Sequence, residues 1–369
     1  MNVPFLNLKA QYNHLKTDID NAIQNVISDT AFIKGKYVDD FEKEFAKAYG
    51  VKHCIGVANG TDAIYIVMKM LGIGAEDEVI TVANTWISSS ETITQTGAKP
   101  VFIDIEPDFY CIDTSKIEEK ITSKTKAIVA VHLFGQSNQI QQLKELCDKH
   151  HLYLIEDCAQ SHFSEYNNKH VGTFGIASTF SFYPGKNLGA YGDAGAILTN
   201  DDELARKMRM YAAHGSLVKH QHEIEGINSR LDGIQAAILS AKLPHIKQWN
   251  EQRIQHAALY TELLKEVKEL VLPATRANTK HTFHLYVIRT KLRNELQAYL
   301  KEHHIETQIH YPVPLPFVKA YQYLNHTPTD FPIAYQYQSE ILSLPMYPEL
   351  SKEEIEYVVS NIKDFFSKQ

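Results

Sequence analysis

Four short stretches of this chain hold residues that could do chemistry, and each lies close behind an apolar run. In Ser178-Thr179-Phe180-Ser181-Phe182-Tyr183-Pro184-Gly185-Lys186-Asn187-Leu188-Gly189, a lysine stands just past such a run among turn-forming residues. Its amine could form an imine or carry a proton. It could equally decorate a solvated loop, the commoner fate of a lysine. A Walker phosphate loop is excluded, because Asn187 follows the lysine and the upstream glycine is missing. Leu154-Ile155-Glu156-Asp157-Cys158-Ala159-Gln160 is an apolar run ending in two carboxylates. Asp157 there could face a pyridine nitrogen and keep it protonated, which makes the ring an electron sink, the protein's task in pyridoxal chemistry. Gln160 could reach a phenolic oxygen from the same turn. Taken alone, Asp157 is as readily a helix cap or a ribose ligand. Ala58-Asn59-Gly60-Thr61-Asp62-Ala63 leads small residues into a helix, where free N–H groups and the helix dipole suit a phosphate and Thr61 adds a hydroxyl. Any capped helix looks similar. Ala83-Asn84-Thr85-Trp86 follows another apolar run, and Trp86 could lie flat on a cofactor ring or pack into a core.

The elements that must position these residues alternate between about residues 50 and 200. Strands are expected at Cys54–Val57, Glu78–Val82, Val101–Asp104, Ala127–Val131, Leu152–Glu156, Thr179–Phe182 and Ala196–Leu198. Near-continuous apolar runs of this length suit strands buried on both faces. Helices are expected after Gly60, with Ala63, Ile66, Val67, Met70 and Leu71 on one face, and over Gln139–His150. The alternation predicts an α/β fold with a mainly parallel sheet covered on both sides, whose ligands bind outside the carboxyl ends of the strands. The pattern changes after about residue 245. A helical stretch (Gln248–Leu270), a strand-like Thr282–Ile288 and a capping box at Ser351-Lys352-Glu353-Glu354 read as a smaller α+β domain. The expected division is 1–245 and 246–369. Tyr311-Pro312-Val313-Pro314-Leu315-Pro316 reads as an ordered loop.

Composition narrows the class. With 369 residues, 44% hydrophobic and 22% charged, the chain reads as a soluble protein of about two domains. A net charge of −7 argues against nucleic acid as the main partner. The four cysteines (Cys54, Cys111, Cys147, Cys158) show no CxxC or zinc-like spacing and read as reduced thiols in a cytoplasmic protein. No signal peptide and no membrane span are expected. His150-His151, His220-Gln221-His222 and His303-His304 lack the spacing and carboxylate support of a metal site. Arg206 and Arg209 read as a solvated face or an interface. A nucleotide-sugar dehydrogenase would need G-x-G-x-x-G after the first strand, and Gly72-Ile73-Gly74 lacks the third glycine.

Anion site, aromatic, carboxylate and lysine follow one another in that order, each at an expected strand end. Together with Phe5-Leu6-Asn7-Leu8, Phe41-Glu42-Lys43-Glu44-Phe45 and His310-Tyr311-Pro312, they make the chain resemble, over essentially its whole length, the DegT/DnrJ/EryC1/StrS sugar aminotransferases. That family is a branch of the fold-type I pyridoxal-phosphate enzymes. The resemblance implies that Lys186 forms the imine to pyridoxal 5'-phosphate, Asp157 faces the ring nitrogen, Gln160 the ring oxygen and Trp86 the ring face. Gly60, Thr61 and Ser181 would hold the phosphate. Gly226-Ile227-Asn228-Ser229-Arg230 matches a segment that crosses a homodimer interface, so Asn228 would reach the partner's phosphate. Two departures stand out: Tyr183 where the family often has histidine, and Gly192-Asp193-Ala194-Gly195 where it has Gly-Glu-Gly.

Phe182–Gly189 resembles the subgroup that aminates C3 of dTDP-linked 3-keto-6-deoxyhexoses, with L-glutamate as donor. Lysine at 186, rather than the histidine of dehydrating relatives, favours transamination. Tyr183, Lys219, His310 and Tyr311 are candidates for the sugar and its diphosphate, for which charge-assisted contacts are suited. Each also has an ordinary reading as packing or solvated surface. Three other readings remain: amination at C4, a UDP or GDP sugar, and a non-catalytic sensor on the same fold.

Overall fold

The expected α/β order appears in the computed structural model, which describes residues 1–368. Three N-terminal helices, α1 (Leu8–His14), α2 (Lys16–Ser28) and α3 (Lys36–Tyr49), precede β1 (His53–Val57). Then come α4 (Gly60–Met70), β2 (Glu78–Val82), α5 (Ser88–Thr96), β3 (Lys99–Ile103), β4 (Thr125–Val131), α6 (Ile140–His150) and β5 (Tyr153–Asp157). A short ribbon, β6 (Glu165–Tyr166) with β7 (Lys169–His170), leads to β8 (Ala177–Ser181) and β9 (Gly195–Thr199). Seven strands form one sheet in the order β1-β9-β8-β5-β4-β2-β3. Only β9 runs against its neighbours, pairing antiparallel with β1 and β8, so the sheet is mixed and mostly parallel. The other strands therefore end on one edge.

Burial explains this arrangement. Residues of β2, β4, β5, β8 and β9 are almost all inaccessible, as befits strands covered by helices on both faces. Helix α3 places Phe41, Phe45 and Tyr49 four residues apart on one stripe. Phe45 meets Phe180 and Phe182 edge-on at 5.2 and 5.3 Å. This aromatic stack props up the segment that carries Lys186.

The chain continues through α7 (Asp202–Tyr211), α8 (Gly233–Lys242) and α9 (Ile246–Leu264). After β10 (Thr279–Lys280), which extends the short ribbon, a second small sheet pairs β11 (Tyr286–Arg289) with β12 (Ile341–Leu344). Around it lie α10 (Arg293–Glu302), α11 (Pro332–Tyr337) and α12 (Lys352–Ser367). The Ser351–Glu354 capping box opens α12 in both directions. Helix α9 begins in the core of the large sheet through Ile246 and Trp249 and ends in the C-terminal core through Tyr260 and Leu264.

Two elements are shorter than the sequence pattern suggests. Helix α9 stops at Leu264 rather than Leu270, because Val267 and Leu270 close turns beside β11. The strand expected from Thr282 begins at Tyr286. Phe283 adopts a left-handed φ of 42°, and the N–H of Thr282 is drawn to the carbonyl of Gly135, outside any ladder. Tertiary contacts override local propensity here.

Candidate functional site

At the C-terminal edge of the large sheet, helix α4 starts with its N-cap Asn59 accepting the Asp62 N–H at 2.8 Å. The first N–H groups of a helix have no partner within it, so Gly60 and Thr61 open a dipole-assisted anion site. Close approach builds this cradle. A Cβ on Gly60 would lie 2.7 Å from the Ser181 Cβ, and one on Gly195 would lie 2.4 Å from the Asn59 carbonyl carbon. Gly195, the last residue of the departing Gly192–Gly195 stretch, thus keeps a steric job. Hydroxyls ring the mouth: Thr61 Oγ1 and Ser88 Oγ are 2.7 Å apart, and Ser181 Oγ accepts from the Tyr183 N–H at 3.3 Å.

Asp157 ends β5 beside this cradle and is buried. One carboxylate oxygen accepts from Ser89 Oγ at 2.9 Å and the other from the Ala159 N–H at 3.1 Å. Burial raises its pKa above the ordinary carboxylate value, and these donors and the Lys186 charge offset only part of the rise. No helix starts at Asp157, so its capping alternative falls away. Lys186 lies in the turn after β8, part-buried. Desolvation lowers its amine to about 8, with the Asp157 charge opposing; a solvated loop lysine would show no such shift. Gln160 accepts the Phe134 N–H at 2.8 Å through its carbonyl and donates from its amide nitrogen to the Tyr311 hydroxyl at 3.0 Å. That fixes which end of the amide faces the site. Trp86 is 58% exposed and sits 5.8 Å from the Tyr311 ring, which excludes the core-packing alternative.

The C-terminal segment closes this floor. His310 stacks on Phe5 at 5.7 Å and bonds Ser343 at 2.8 Å. Burial first, then the Lys186 charge, pushes its imidazole down to about 4. His162 is held at about 3 and His284 well below its ordinary value by the same two causes, in the same order. All three imidazoles lie within the field of the Lys186 charge, which with burial favours their neutral forms.

The structure therefore brings together Gly60, Thr61, Trp86, Asp157, Gln160, Ser181, Lys186, His310 and Tyr311. It leaves the rest facing outward. Tyr183 is 59% exposed, Lys219 and Asn228 are exposed, and Asn228 contributes only a backbone bridge to Ala213. Its neighbour Ser229 accepts from the Ala58 N–H at 3.1 Å, which ties this segment to the α4 cradle. Arg206 pairs with Glu223 and Arg209 with Glu42.

The sequence reading missed Ser88, Ser89 and His132. Three consecutive serines opening a helix just after Trp86 were the available signal, since serine competes with helical backbone bonding. Among the described residues, His132, Glu156 and Cys158 meet closely enough for a metal. However, Glu156 already accepts from His132 and from the N–H groups of Gly172, Phe174 and Gly175 at 2.6–2.7 Å. The Asn138 N–H occupies His132 Nδ1 at 3.2 Å. This set ties strand ends together.

A buried carboxylate, a low-pKa amine, an oriented amide, an aromatic face and a helix-start anion cradle could hold a phosphorylated pyridine. The family model for the DegT/DnrJ/EryC1/StrS aminotransferases matches residues 13–363. The chain is 47% identical over 99% of both chains to a pleiotropic regulatory protein of Geobacillus stearothermophilus. It is 45% identical, over 98% of itself and 99% of the relative, to the dTDP-3-amino-3,6-dideoxy-alpha-D-galactopyranose transaminase of Aneurinibacillus thermoaerophilus. Its fold superimposes on the crystal structure of S. venezuelae DesV in complex with a ketimine intermediate with a TM-score of 0.97, at 38% identity and covering 99% and 98% of the two chains. No described helix is long and apolar enough to cross a membrane.

Proposed function

The chain belongs to the DegT/DnrJ/EryC1/StrS aminotransferase family, a pyridoxal-phosphate-dependent nucleotide-sugar aminotransferase, and from that premise we propose its substrates and the roles of its residues. It moves an amino group from L-glutamate to the C3 keto group of a dTDP-linked 3-keto-6-deoxyhexose. The observation that carries this reading is buried Asp157, held by Ser89 and Ala159, at the same sheet edge as the Gly60–Ser181 cradle and the part-buried Lys186, whose amine desolvation lowers to about 8. The 45% identity to a dTDP-3-amino sugar transaminase supports the choice of sugar.

The side chains fit the cofactor in chemical type. Gly60, Thr61 and Ser181 hold its phosphate, Asp157 its ring nitrogen, Gln160 its ring oxygen and Trp86 its ring face. When bound, pyridoxal phosphate supplies the electron sink through which an amino group can be carried from donor to acceptor. Lys186 Nζ anchors the cofactor at rest. Once displaced, the same amine takes and returns the proton at the carbon next to the transferred nitrogen, a task for a base with a pKa near working pH. Asp157 holds a proton at the ring nitrogen by staying ionised. Gln160, its carbonyl occupied by Phe134 and one N–H by Tyr311, has its remaining N–H for the ring oxygen. The neutral imidazoles of His162, His284 and His310 leave Lys186 the principal proton carrier on the floor. Tyr183, Lys219, His310 and Tyr311 line the path of the sugar and its diphosphate. A second copy of the chain completes the site through Asn228.

The test is a pair of half-reactions on purified protein, followed by cofactor absorbance. L-Glutamate converts the resting spectrum, and dTDP-3-keto-6-deoxyhexose restores it better than UDP- or GDP-linked or 4-keto counterparts. Lys186→Ala does neither. Restoration by a 4-keto or UDP sugar alone overturns the substrate assignment. A spectrum that no donor changes would leave a binding sensor, the direction in which the regulatory relative's name points.

A further inference from the structure

The first turn of α5 carries three hydroxyls, and each goes to a different part of the molecule. Ser88 meets Thr61 at the mouth of the cradle, 2.7 Å away. Ser90 accepts from the Tyr321 hydroxyl at 2.8 Å and so ties α5 to the C-terminal segment. Ser89, itself buried, donates to Asp157 Oδ2 at 2.9 Å.

A carboxylate out of reach of water drifts toward its neutral form unless donors hold the charge. Asp157 is in that position. The titratable groups that face it are Lys186 from the turn after β8, His132 from the end of β4, Tyr311 from the C-terminal segment and the adjacent Cys158. His132 is occupied on both nitrogens, accepting from Asn138 and donating to Glu156. Lys186 offers a charge only while its amine is free, and the proposed chemistry engages that amine. The Ser89 hydroxyl donates whatever the state of Lys186, and among the described residues only the Ala159 N–H shares that property.

The geometry points to Ser89 as a positioning residue for amino transfer, one that keeps Asp157 ionised and aimed so that the ring nitrogen retains its proton. The inference rests on the role of Asp157 given above.

The holoenzyme is titrated over roughly pH 5 to 9 and the bound cofactor is followed by absorbance, for wild type, Ser89→Ala, Ser89→Thr and Ser90→Ala. In Ser89→Ala the acid limb, where the bound spectrum is lost, moves up by about one pH unit, the worth of one hydrogen bond to a charged group. Its kcat falls roughly 10-fold with KM for the sugar unchanged. Ser89→Thr restores most of the wild-type limb, and Ser90→Ala coincides with wild type. A Ser89→Ala curve superimposed on wild type, or an equal shift in Ser90→Ala, overturns the role. Should Ser89→Ala not fold, Ser89→Cys, similar in size with a weak donor, must shift the limb in the same direction, and a wild-type limb there overturns it as well. If Lys186→Ala shows the wild-type spectrum and turnover, the reading of the site itself falls and takes this role with it. A normal Lys186 result with an unmoved Ser89→Ala limb isolates the failure to Ser89.

Discussion

The floor and the rim of this site are built differently. On the floor, Asp157, Glu156, His132 and Gln160 are buried, and each already holds two or more hydrogen bonds to its own chain. On the rim, Tyr183, Lys219 and Asn228 are exposed. Buried polar groups must be satisfied internally or they cost the fold dearly, so the floor is organised before any ligand arrives. Rim residues are hydrated and cost nothing to leave open. On the proposed reading, the floor sets the chemistry, while the rim meets the substrate and the proposed second chain.

Substitutions on the two sides should therefore differ in kind. The largest loss is expected from Lys186→Ala, about 10⁴-fold in turnover, because anchor and proton carrier vanish together. Asp157→Asn follows at about 10²-fold in kcat, with KM for the sugar nearly unchanged, since an amide cannot balance a positive ring nitrogen. Lys219→Ala is expected to raise KM for the nucleotide sugar about 10-fold while sparing kcat, the signature of lost ground-state binding. A kcat effect from Lys219→Ala would blur the distinction between floor and rim.

Stability should separate the two regions as well. Glu156→Gln leaves N–H donors of Gly172, Phe174 and Gly175 facing a weaker acceptor, and denaturant unfolding should show a loss of about 3 kcal/mol. Lys219→Ala should stay within about 0.5 kcal/mol of wild type. A further effect concerns pH. Burial lowers the Lys186 amine from 10.5 to about 8, so between those values the unfolded chain binds a proton that the folded chain does not. Stability is then lost as pH falls through that window. Cofactor-free Lys186→Met should melt a few degrees above cofactor-free wild type near pH 7, and the gap should narrow as pH approaches 10.5.

Much of the floor was legible from sequence because its main residues stand at the ends of apolar strands. Lys186, Asp157 and Gln160 each follow such a run, and a parallel sheet delivers those ends to one edge. The serine run marked Ser89 as unusual, but its pairing with Asp157 was not legible, since the two are 68 positions apart. The same holds for Tyr311 and Gln160, 151 positions apart. The Thr282–Ile288 run shows the limit of pattern reading, because an apolar alternation cannot report that Gly135 draws the Thr282 N–H out of the ladder. On the rim, Lys219 and Asn228 drew attention only through family resemblance, because an exposed residue carries no local sign of what will cover it.

The proposal that the rim is completed by a second chain is tested most directly by co-expressing Lys186→Ala with Asn228→Asp. Each homodimer alone should be nearly inactive, the first for want of the amine and the second because a carboxylate faces the phosphate. In a shared site, one of the two sites in each mixed dimer carries both intact residues, and the random mixture should recover about a quarter of wild-type activity. Recovery near zero, or an Asn228→Asp protein as active as wild type, would contradict a site shared between chains.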